Sequence, residues 1–217
     1  MKGDFIRLSN IKNSDNQFNI ALPDVLDELK QLRQWVSYKT VERGNNKLSK
    51  IPINPNTGSN AQINDLNTWG SYEEAINSVN KYNLVGIGFV FSNNYTGIDL
   101  DNVVSNNIIN NFALDIVKQF NSYTEYSPSG TGLHILCKNS FNIGNRNDKL
   151  GIEIYNHSRF FTITGNVYEN IKPIEERTEQ VKRIYEIYFK KSSTHKIRTS
   201  LNTLSISEDD KELWNII

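Results

Sequence analysis

Extended segments dominate this chain, and they do not alternate regularly with helices. The runs with strand-like composition are 35–38, 51–53, 86–91, 95–101, 122–125, 133–137, 151–155 and 160–164. Helical spacing of apolar residues occurs at 23–33, 71–81 and 108–120, and in one long segment after Pro173. A regular alternation would predict a parallel sheet, whereas this mixed order predicts an α+β fold with mixed or antiparallel sheets flanked by helices.

Two antiparallel hairpins are predicted within this order. The first joins 35–38 to 51–53 through a turn at 44–46 and places Lys50 on its return arm. The second joins 86–91 to 95–101 through a short turn. We therefore expect the two strands of each hairpin to be neighbours in one sheet.

The composition excludes a disordered chain and a disulfide-stabilised scaffold. Of 217 residues, 37% are hydrophobic, and 24 Lys and Arg balance 24 Asp and Glu, as in an ordinary globular domain. Cys137 is the single cysteine and there are three histidines, so neither an internal disulfide nor a Cys/His zinc site is expected. We predict one domain at 21–191, after a loose lead-in at 1–20 and before a linker and the start of a further helix at 192–217.

The sequence gives no sign of membrane insertion or secretion. No apolar run reaches the ~18 residues that a membrane span needs, and the N-terminus lacks the apolar stretch of a secretory signal. A cytoplasmic protein without membrane contacts is therefore expected. The balanced charge argues against binding nucleic acid through bulk electrostatic attraction, but it leaves local binding open.

Three acidic residues on predicted strands are candidates for metal binding. Asp99 and Asp101 are two residues apart, so on a strand they would face the same side, roughly 6–7 Å apart. Glu153 lies between two isoleucines and would project from the opposite face of its strand. Neighbouring carboxylates repel one another unless a cation lies between them. Taken singly, each acid is equally compatible with a surface turn or a solvated sheet face.

A segment rich in glycine and hydroxyl groups, SPSGTG at 127–132, precedes the strand that contains His134. Its two glycines would let successive backbone N–H groups turn towards one anion, and His134 could add a donor. The P-loop motif GxxxxGK[ST] is absent from the chain. Simple turn formation between two strands is the alternative interpretation. Arg159 opens a strand six residues after Glu153 and could hold a phosphate at the same place.

The order of these motifs resembles that of a known enzyme family. The blocks GIDLD, SPSGTGLHI, GIEIY and RFFTITG, preceded by KLSKIPINPNTG and NTWGSYEEA, span Trp35 to Gly165. They are similar to the catalytic domain of primase-polymerases in the archaeo-eukaryotic primase superfamily, of the type at the N-terminus of replication proteins from phages, plasmids and other mobile elements. The resemblance implies a two-lobed core with an RRM-like catalytic half.

The resemblance also implies roles for individual residues. The family's paired acids and its third acid bind the catalytic metals, which here implies Asp99, Asp101 and Glu153. Its motif of a small residue, any residue and a histidine corresponds to 132–134, with His134 on the phosphates of the incoming nucleotide. A glycine stands here where other branches have serine. The residues expected near the nucleotide are Ser129, Gly130, Thr131, Gly132, His134, Arg159 and Lys50.

The implied activity is template-dependent nucleotidyl transfer by a DNA primase, a DNA polymerase or both, in a bacterial or phage-infected cell. Two Mg²⁺ or Mn²⁺ ions would be the cofactors, since all-oxygen ligands suit them, and no zinc is expected. The substrates would be NTPs or dNTPs with a single-stranded DNA template and a primer. A helicase domain or protein is expected beyond the C-terminus or on another chain.

Other classes of function remain open at this point. A glycoside hydrolase also uses two carboxylates, but it would leave the glycine-rich segment and Arg159 without a role. A non-catalytic single-strand binder could stack bases on Tyr and Phe, yet three acids in its cleft would repel phosphate. A nuclease or a signalling nucleotidyltransferase on the same fold would retain the same residues.

Overall fold

The computed structural model describes Phe18, residues 20–44 and residues 47–190. The strands are β1 Trp35–Arg43, β2 Lys47–Ile53, β3 Gly86–Val90, β4 Tyr95–Leu100, β5 Val104–Ser105, β6 Ile108–Ile109, β7 Thr124–Tyr126, β8 Leu133–Lys138, β9 Gly144–Asn147, β10 Ile152–Tyr155, β11 Phe160–Thr162 and β12 Glu175–Glu176. The helices are α1 Asp27–Lys30, α2 Tyr72–Lys81, α3 Asn111–Phe120 and α4 Thr178–Tyr188. The expected α+β fold is confirmed.

The strands form two main sheets and one small β5-β6 pair. A four-stranded antiparallel sheet has the order β11-β3-β1-β2. In the six-stranded sheet, β4 lies between β8 and β10, and β9 forms the edge beyond β10. The other edge of β8 is shared by β7, which is antiparallel to it, and β12, which is parallel.

One of the two predicted hairpins is wrong. β1 and β2 pair as expected, but β3 belongs to the four-stranded sheet and β4 to the six-stranded sheet. The short connection at 92–94 therefore crosses from one sheet to the other, with Asn93 and Asn94 in the left-handed backbone region. The Phe91 N–H donates to the Arg159 carbonyl instead of to β4. The apolar pattern located both strands correctly but did not determine their partners.

The helices begin where their side chains provide caps. In α2, the Ser71 hydroxyl accepts from the Glu74 N–H while the Glu74 carboxylate accepts from the Ser71 N–H, a complete capping box. The helix predicted at 108–120 starts later, because Ile108 and Ile109 pair as β6, and the Asn110 side chain then caps α3. The helix predicted at 23–33 is shorter and consists of a 3₁₀ turn followed by α1.

Two hydrophobic clusters cover the two faces of the six-stranded sheet. One face packs against α3 and α4 through residues such as Ile98, Ile135 and Ile116. The other face meets the four-stranded sheet, where Leu136 and Phe161 belong to one cluster. The residues discussed below as a candidate site lie on this second face, at the junction of the two sheets.

Some predictions fall outside the described residues. The linker and further helix expected at 192–217 and most of the lead-in at 1–20 are not covered. Within that lead-in, Phe18 is buried, and its N–H donates to the Asn80 side chain. No helix in the described part of the chain combines the length and apolarity needed to cross a membrane.

Candidate active site

Strand register aligns five ionisable side chains across the six-stranded sheet. Running from β7 through β8, β4 and β10 to β9, each residue is the direct partner of the next. Residues directly opposite one another in antiparallel strands project from the same face. We call this set the charged row; its members are, in order, Glu125, His134, Asp99, Glu153 and Arg146. Two of the predicted acids, Asp99 and Glu153, are thus immediate neighbours.

Asp99 has a carboxylate that the folded protein leaves partly unsatisfied. Among the described residues, its Oδ1 is the one buried side-chain nitrogen or oxygen without a hydrogen-bond partner. The Nε2 atom of His134 lies 3.7 Å from it, which is too long for a hydrogen bond. Burial raises the pKa of Asp99; His134 opposes this rise and Asp101 adds to it. A cation would therefore be stabilised at this oxygen.

Asp101 and Glu153 extend the acidic group towards solvent. Asp101 lies one residue past the end of β4, where its N–H donates to the Gly151 carbonyl over 2.8 Å and its side chain is exposed. Glu153 is half-buried, with Oε1 3.7 Å from Nε of Arg146. In the conformation described for residues 20–44 and 47–190, no three His, Cys, Asp or Glu side chains lie close enough to hold a metal ion. The metal role of these acids therefore stays a prediction.

His134 is held in one orientation by its surroundings. Its side chain is 2% exposed, and its Nδ1 lies 3.0 Å from the Thr162 carbonyl oxygen of β11. A carbonyl oxygen can only accept, so Nδ1 carries the proton in this contact. The ring of Phe161 packs against the imidazole with 5.2 Å between centroids. Nε2 is thereby directed towards Asp99.

Phe161 reaches His134 because a glycine makes room for it. Gly97 lies on the same face of β4 as Asp99, two residues before it. A Cβ at Gly97 would lie 2.3 Å from the Phe91 ring and 2.6 Å from the Phe161 ring. The glycine of the GIDLD block is therefore needed for packing beside the row.

Residues 127–132, which we call the hydroxyl loop, connect β7 to β8. Ser129 Oγ lies 3.1 Å from Ser127 Oγ and 2.8 Å from Thr131 Oγ1. The N–H groups of Gly130, Thr131 and Gly132 all donate within the loop. The backbone nest expected from the sequence is thus occupied by internal hydrogen bonds, and the exposed hydroxyls of Ser129 and Thr131 are the accessible donors.

Gly132 joins the hydroxyl loop to the charged row. A Cβ at this position would lie 2.7 Å from the carbonyl oxygen of Leu100, the residue between Asp99 and Asp101. A serine would therefore push the loop away from the end of β4. This contact gives a physical reason for the glycine that departs from the pattern of the family it resembles.

The two predicted basic residues have different surroundings. Lys50 donates from Nζ to Thr162 Oγ1 over 3.3 Å. Much of this residue is exposed, but burial of its ammonium group lowers the pKa of Lys50, an effect opposed first by Asp99 and then by Asp101. Arg159 is exposed and stacks over the Tyr155 ring at 4.7 Å. It therefore lies beside the row, with its role on phosphate still a prediction.

Part of this chain is similar in sequence to a phage protein. A search against protein-family models finds no matching model. The chain is 36% identical over 162 residues to a protein of Nitratiruptor phage NrS-1 named "DNA Primase-polymerase", and the match covers 68% of this chain. This chain contains a primase-polymerase-type domain. The matched region spans 21% of the phage protein.

The structure brings several residues predicted for the site of this primase-polymerase-type domain near one another. The structure brings Asp99, Glu153 and His134 into direct register and puts Asp101 at the end of the same strand. Lys50 comes from the other sheet and could not be positioned by periodicity.

Two members of the charged row were missed by sequence analysis. Glu125 lies in a strand that the pattern did predict, but nothing in its sequence indicates that it faces His134. Arg146 lies in β9, whose sequence GNRN has no apolar alternation and therefore gave no strand signal. Only the register between strands reveals either residue as a member of the charged row.

Proposed function

We propose that this chain is a nucleotidyltransferase domain that adds nucleotides to DNA on a single-stranded template, as a DNA primase, a DNA polymerase or both. The observation that carries the proposal is the alignment of Asp99 with Glu153 and His134 across three strands. The similarity to a phage protein named DNA primase-polymerase supports the same activity. A role in replication of a phage or another mobile element is part of the proposal.

The donor set of the site fits divalent metal ions. Asp99, Asp101 and Glu153 provide carboxylate oxygens, which Mg²⁺ and Mn²⁺ prefer. The unpartnered Oδ1 of Asp99 is an atom that a cation would satisfy. Two such ions held by Asp99, Asp101 and Glu153 would supply activation of the attacking 3′-hydroxyl and charge stabilisation for the leaving pyrophosphate.

The protein's own cationic and donor groups would bind the triphosphate. His134 presents Nε2 beside Asp99, and Lys50 holds its ammonium group near Thr162. The hydroxyl loop leads into β8, whose first residue Leu133 pairs with Leu100, so the loop lies beside the end of β4 where Asp101 is exposed. These groups would orient an NTP or dNTP by shape and charge, while pairing with the template selects the base.

A non-catalytic module that binds single-stranded nucleic acid is the competing function. Such a module gains from cationic and aromatic surfaces, whereas Asp99 and Glu153 together place negative charge in the same row as His134. The acidic group is easier to explain if it binds cations during catalysis. The partners in the enzymatic proposal are a single-stranded DNA template and a primer, and a helicase activity outside this domain is proposed to accompany them.

The test is incorporation of labelled dNTPs or NTPs on primed and unprimed single-stranded DNA with Mn²⁺ or Mg²⁺. We expect incorporation by the unchanged chain and none above background by Asp99→Asn. Asp115→Asn is the matched control, because Asp115 is an exposed carboxylate on α3. Binding of the DNA without any incorporation by the unchanged chain would favour the non-catalytic module and reject the enzymatic proposal.

A further inference from the structure

We infer that Glu125 is a positioning residue that fixes the orientation of the His134 imidazole. Its catalytic consequence rests on the proposed nucleotidyl transfer, whereas its structural part does not. Glu125 is fully buried on β7, directly opposite His134 on β8. Burial of a carboxylate costs several kcal/mol unless it is well satisfied, so its presence here needs a physical reason.

The Glu125 carboxylate accepts three hydrogen bonds from the residues around it. Its Oε1 accepts from the Thr164 N–H over 2.9 Å. Its Oε2 accepts from the Gly165 N–H over 2.9 Å and from the Tyr123 hydroxyl over 2.8 Å. The carboxylate therefore ties the segment that follows β11 to β7.

The chain that leads into that segment contacts His134 directly. Thr162, the last residue of β11, lies two residues before Thr164, and its carbonyl oxygen is the acceptor for His134 Nδ1. Oε1 of Glu125 also lies 3.6 Å from the same Nδ1. Two acceptors thus face Nδ1. One is the Thr162 carbonyl oxygen, which Glu125 positions, and the other is Oε1 of Glu125 itself. The proton is kept on Nδ1, and Nε2 is left facing Asp99.

A positioning role and a purely structural role for Glu125 predict different results when it is replaced. If Glu125 only joined β7 to the segment after β11, its replacement would lower stability without changing the imidazole of the folded molecules. If it positions His134, a replacement that folds must alter the imidazole itself. Glu125→Gln tests this, because an amide can accept one of the two backbone N–H groups but presents a donor to the other.

The experiment compares imidazole ¹⁵N–¹H correlation spectra of the full chain at one fixed pH, with His134 signals assigned through His134→Ala. We expect the unchanged protein to show protonation at Nδ1 and Glu125→Gln to shift the His134 nitrogen signals. Asn139→Ala is the matched control: Asn139 is also buried, and its side chain bonds Thr96 at the far end of β4 and β8. The control should leave the His134 signals unchanged.

A kinetic comparison tests the catalytic consequence. We expect Glu125→Gln to raise the KM for nucleotide by about 10- to 100-fold, the usual cost of losing a partner that orients a site residue. In a Glu125→Gln, His134→Ala double variant, the increase in KM should be no greater than in His134→Ala alone, because the two changes remove the same interaction. An increase in KM equal to the product of the two single-variant increases would overturn the inference.

The remaining outcomes are also decisive. Unchanged His134 signals in folded Glu125→Gln would reject positioning, whatever the kinetics. If Glu125→Gln does not fold, Tyr123→Phe replaces it; this variant retains the carboxylate, removes one of its donors, and should shift the His134 signals in the same direction by less. If the unchanged chain incorporates no nucleotide, the proposed function fails, but the spectra still accept or reject the role of Glu125.

Discussion

The charged row and the hydroxyl loop are adjacent, yet different interactions hold them in place. The row is fixed by strand pairing, which lies on both sides of His134, Asp99 and Glu153, and Glu125 and His134 are buried within it. The hydroxyl loop is exposed, and its N–H and hydroxyl groups bond mainly to one another. The row is therefore arranged before any ligand arrives, whereas the loop must exchange internal hydrogen bonds for ligand contacts.

This difference has energetic consequences. Preorganised charges act strongly because no rearrangement is needed during the reaction. Hydroxyls that already have partners gain little net free energy when they exchange them for phosphate oxygens. We therefore expect substitutions in the row to have large effects on incorporation and substitutions in the loop to have small ones.

The largest effect is predicted for the acids at and beside the row. Asp101→Ala and Glu153→Ala should each reduce kcat for incorporation by at least about 100-fold, the scale of losing one preorganised group at developing charge. Single-turnover incorporation on a primed template measures the loss. Activity within tenfold of the unchanged chain for either variant would remove that acid from the proposed metal site and weaken the contrast with the loop.

The next effect is predicted for His134, which lies inside the row and is proposed to contact the phosphates of the nucleotide. His134→Ala should raise the KM for nucleotide by about 10- to 100-fold, since a hydrogen bond to a charged group contributes roughly 1.5–3 kcal/mol. Steady-state kinetics at varied nucleotide concentration measures this change, and kcat should fall less than KM rises. Unchanged KM and kcat would show that the imidazole does not contact the phosphates.

A smaller effect is predicted on stability at Asp99. Because the unpartnered Oδ1 of Asp99 is buried, Asp99→Asn should raise the free energy of unfolding of the metal-free protein, by about 1 kcal/mol at neutral pH. Chemical denaturation measures this change in the free energy of unfolding. The substitution would thus stabilise the fold while it abolishes incorporation, as expected for a charge retained for function.

The pH dependence of this gain follows from the raised pKa of Asp99. A raised pKa means that the folded state binds the Asp99 proton more tightly than the unfolded state. The unchanged protein therefore loses stability as the pH rises above the ordinary value of 3.8. The advantage of Asp99→Asn should shrink as the pH falls towards that value, and added Mn²⁺ should raise the melting temperature of the unchanged protein more than that of the variant. An advantage that grows at low pH would contradict this account.

The same contrast explains what the sequence could and could not predict. Alternation and helical spacing located nearly every strand and helix that carries a candidate site residue. The motif order predicted that Asp99, Glu153 and His134 share one site, and the three residues are neighbours in the sheet. Strand pairing was harder to predict from the sequence, because β3 and β4 have the sequence pattern of a hairpin but lie in different sheets. A short connection allows a hairpin without requiring it, and here apolar packing between the sheets separates the two strands.

Strand register is the other property that the local sequence pattern does not determine. Glu125 and Arg146 belong to the row because five strands align, which depends on contacts distant in sequence. The hydroxyl loop shows the opposite case. Its glycines predicted a bend correctly, but the sequence did not show that the N–H groups of Gly130 and Gly132 would be used within the loop.

The smallest effect is predicted for the hydroxyl loop itself. Ser129→Ala with Thr131→Ala should raise the KM for nucleotide by about 2- to 10-fold, because exchange between neutral hydrogen bonds contributes about 0.5–1.5 kcal/mol. The kcat should stay within about twofold, since neither hydroxyl belongs to the preorganised row. Steady-state incorporation kinetics measures both constants.

A matched control exists in the loop after β2. Thr57 Oγ1 and Ser59 Oγ lie 2.7 Å apart, and the Ser59 N–H donates to Thr57 Oγ1, so this pair repeats the bonding of Ser129 with Thr131. Thr57→Ala with Ser59→Ala should leave KM unchanged. Equal KM values for the two double variants would show that the hydroxyl loop only forms the turn between β7 and β8. A KM effect as large as that of His134→Ala would show instead that the loop is organised for the nucleotide as fully as the row, which its internal hydrogen bonds argue against.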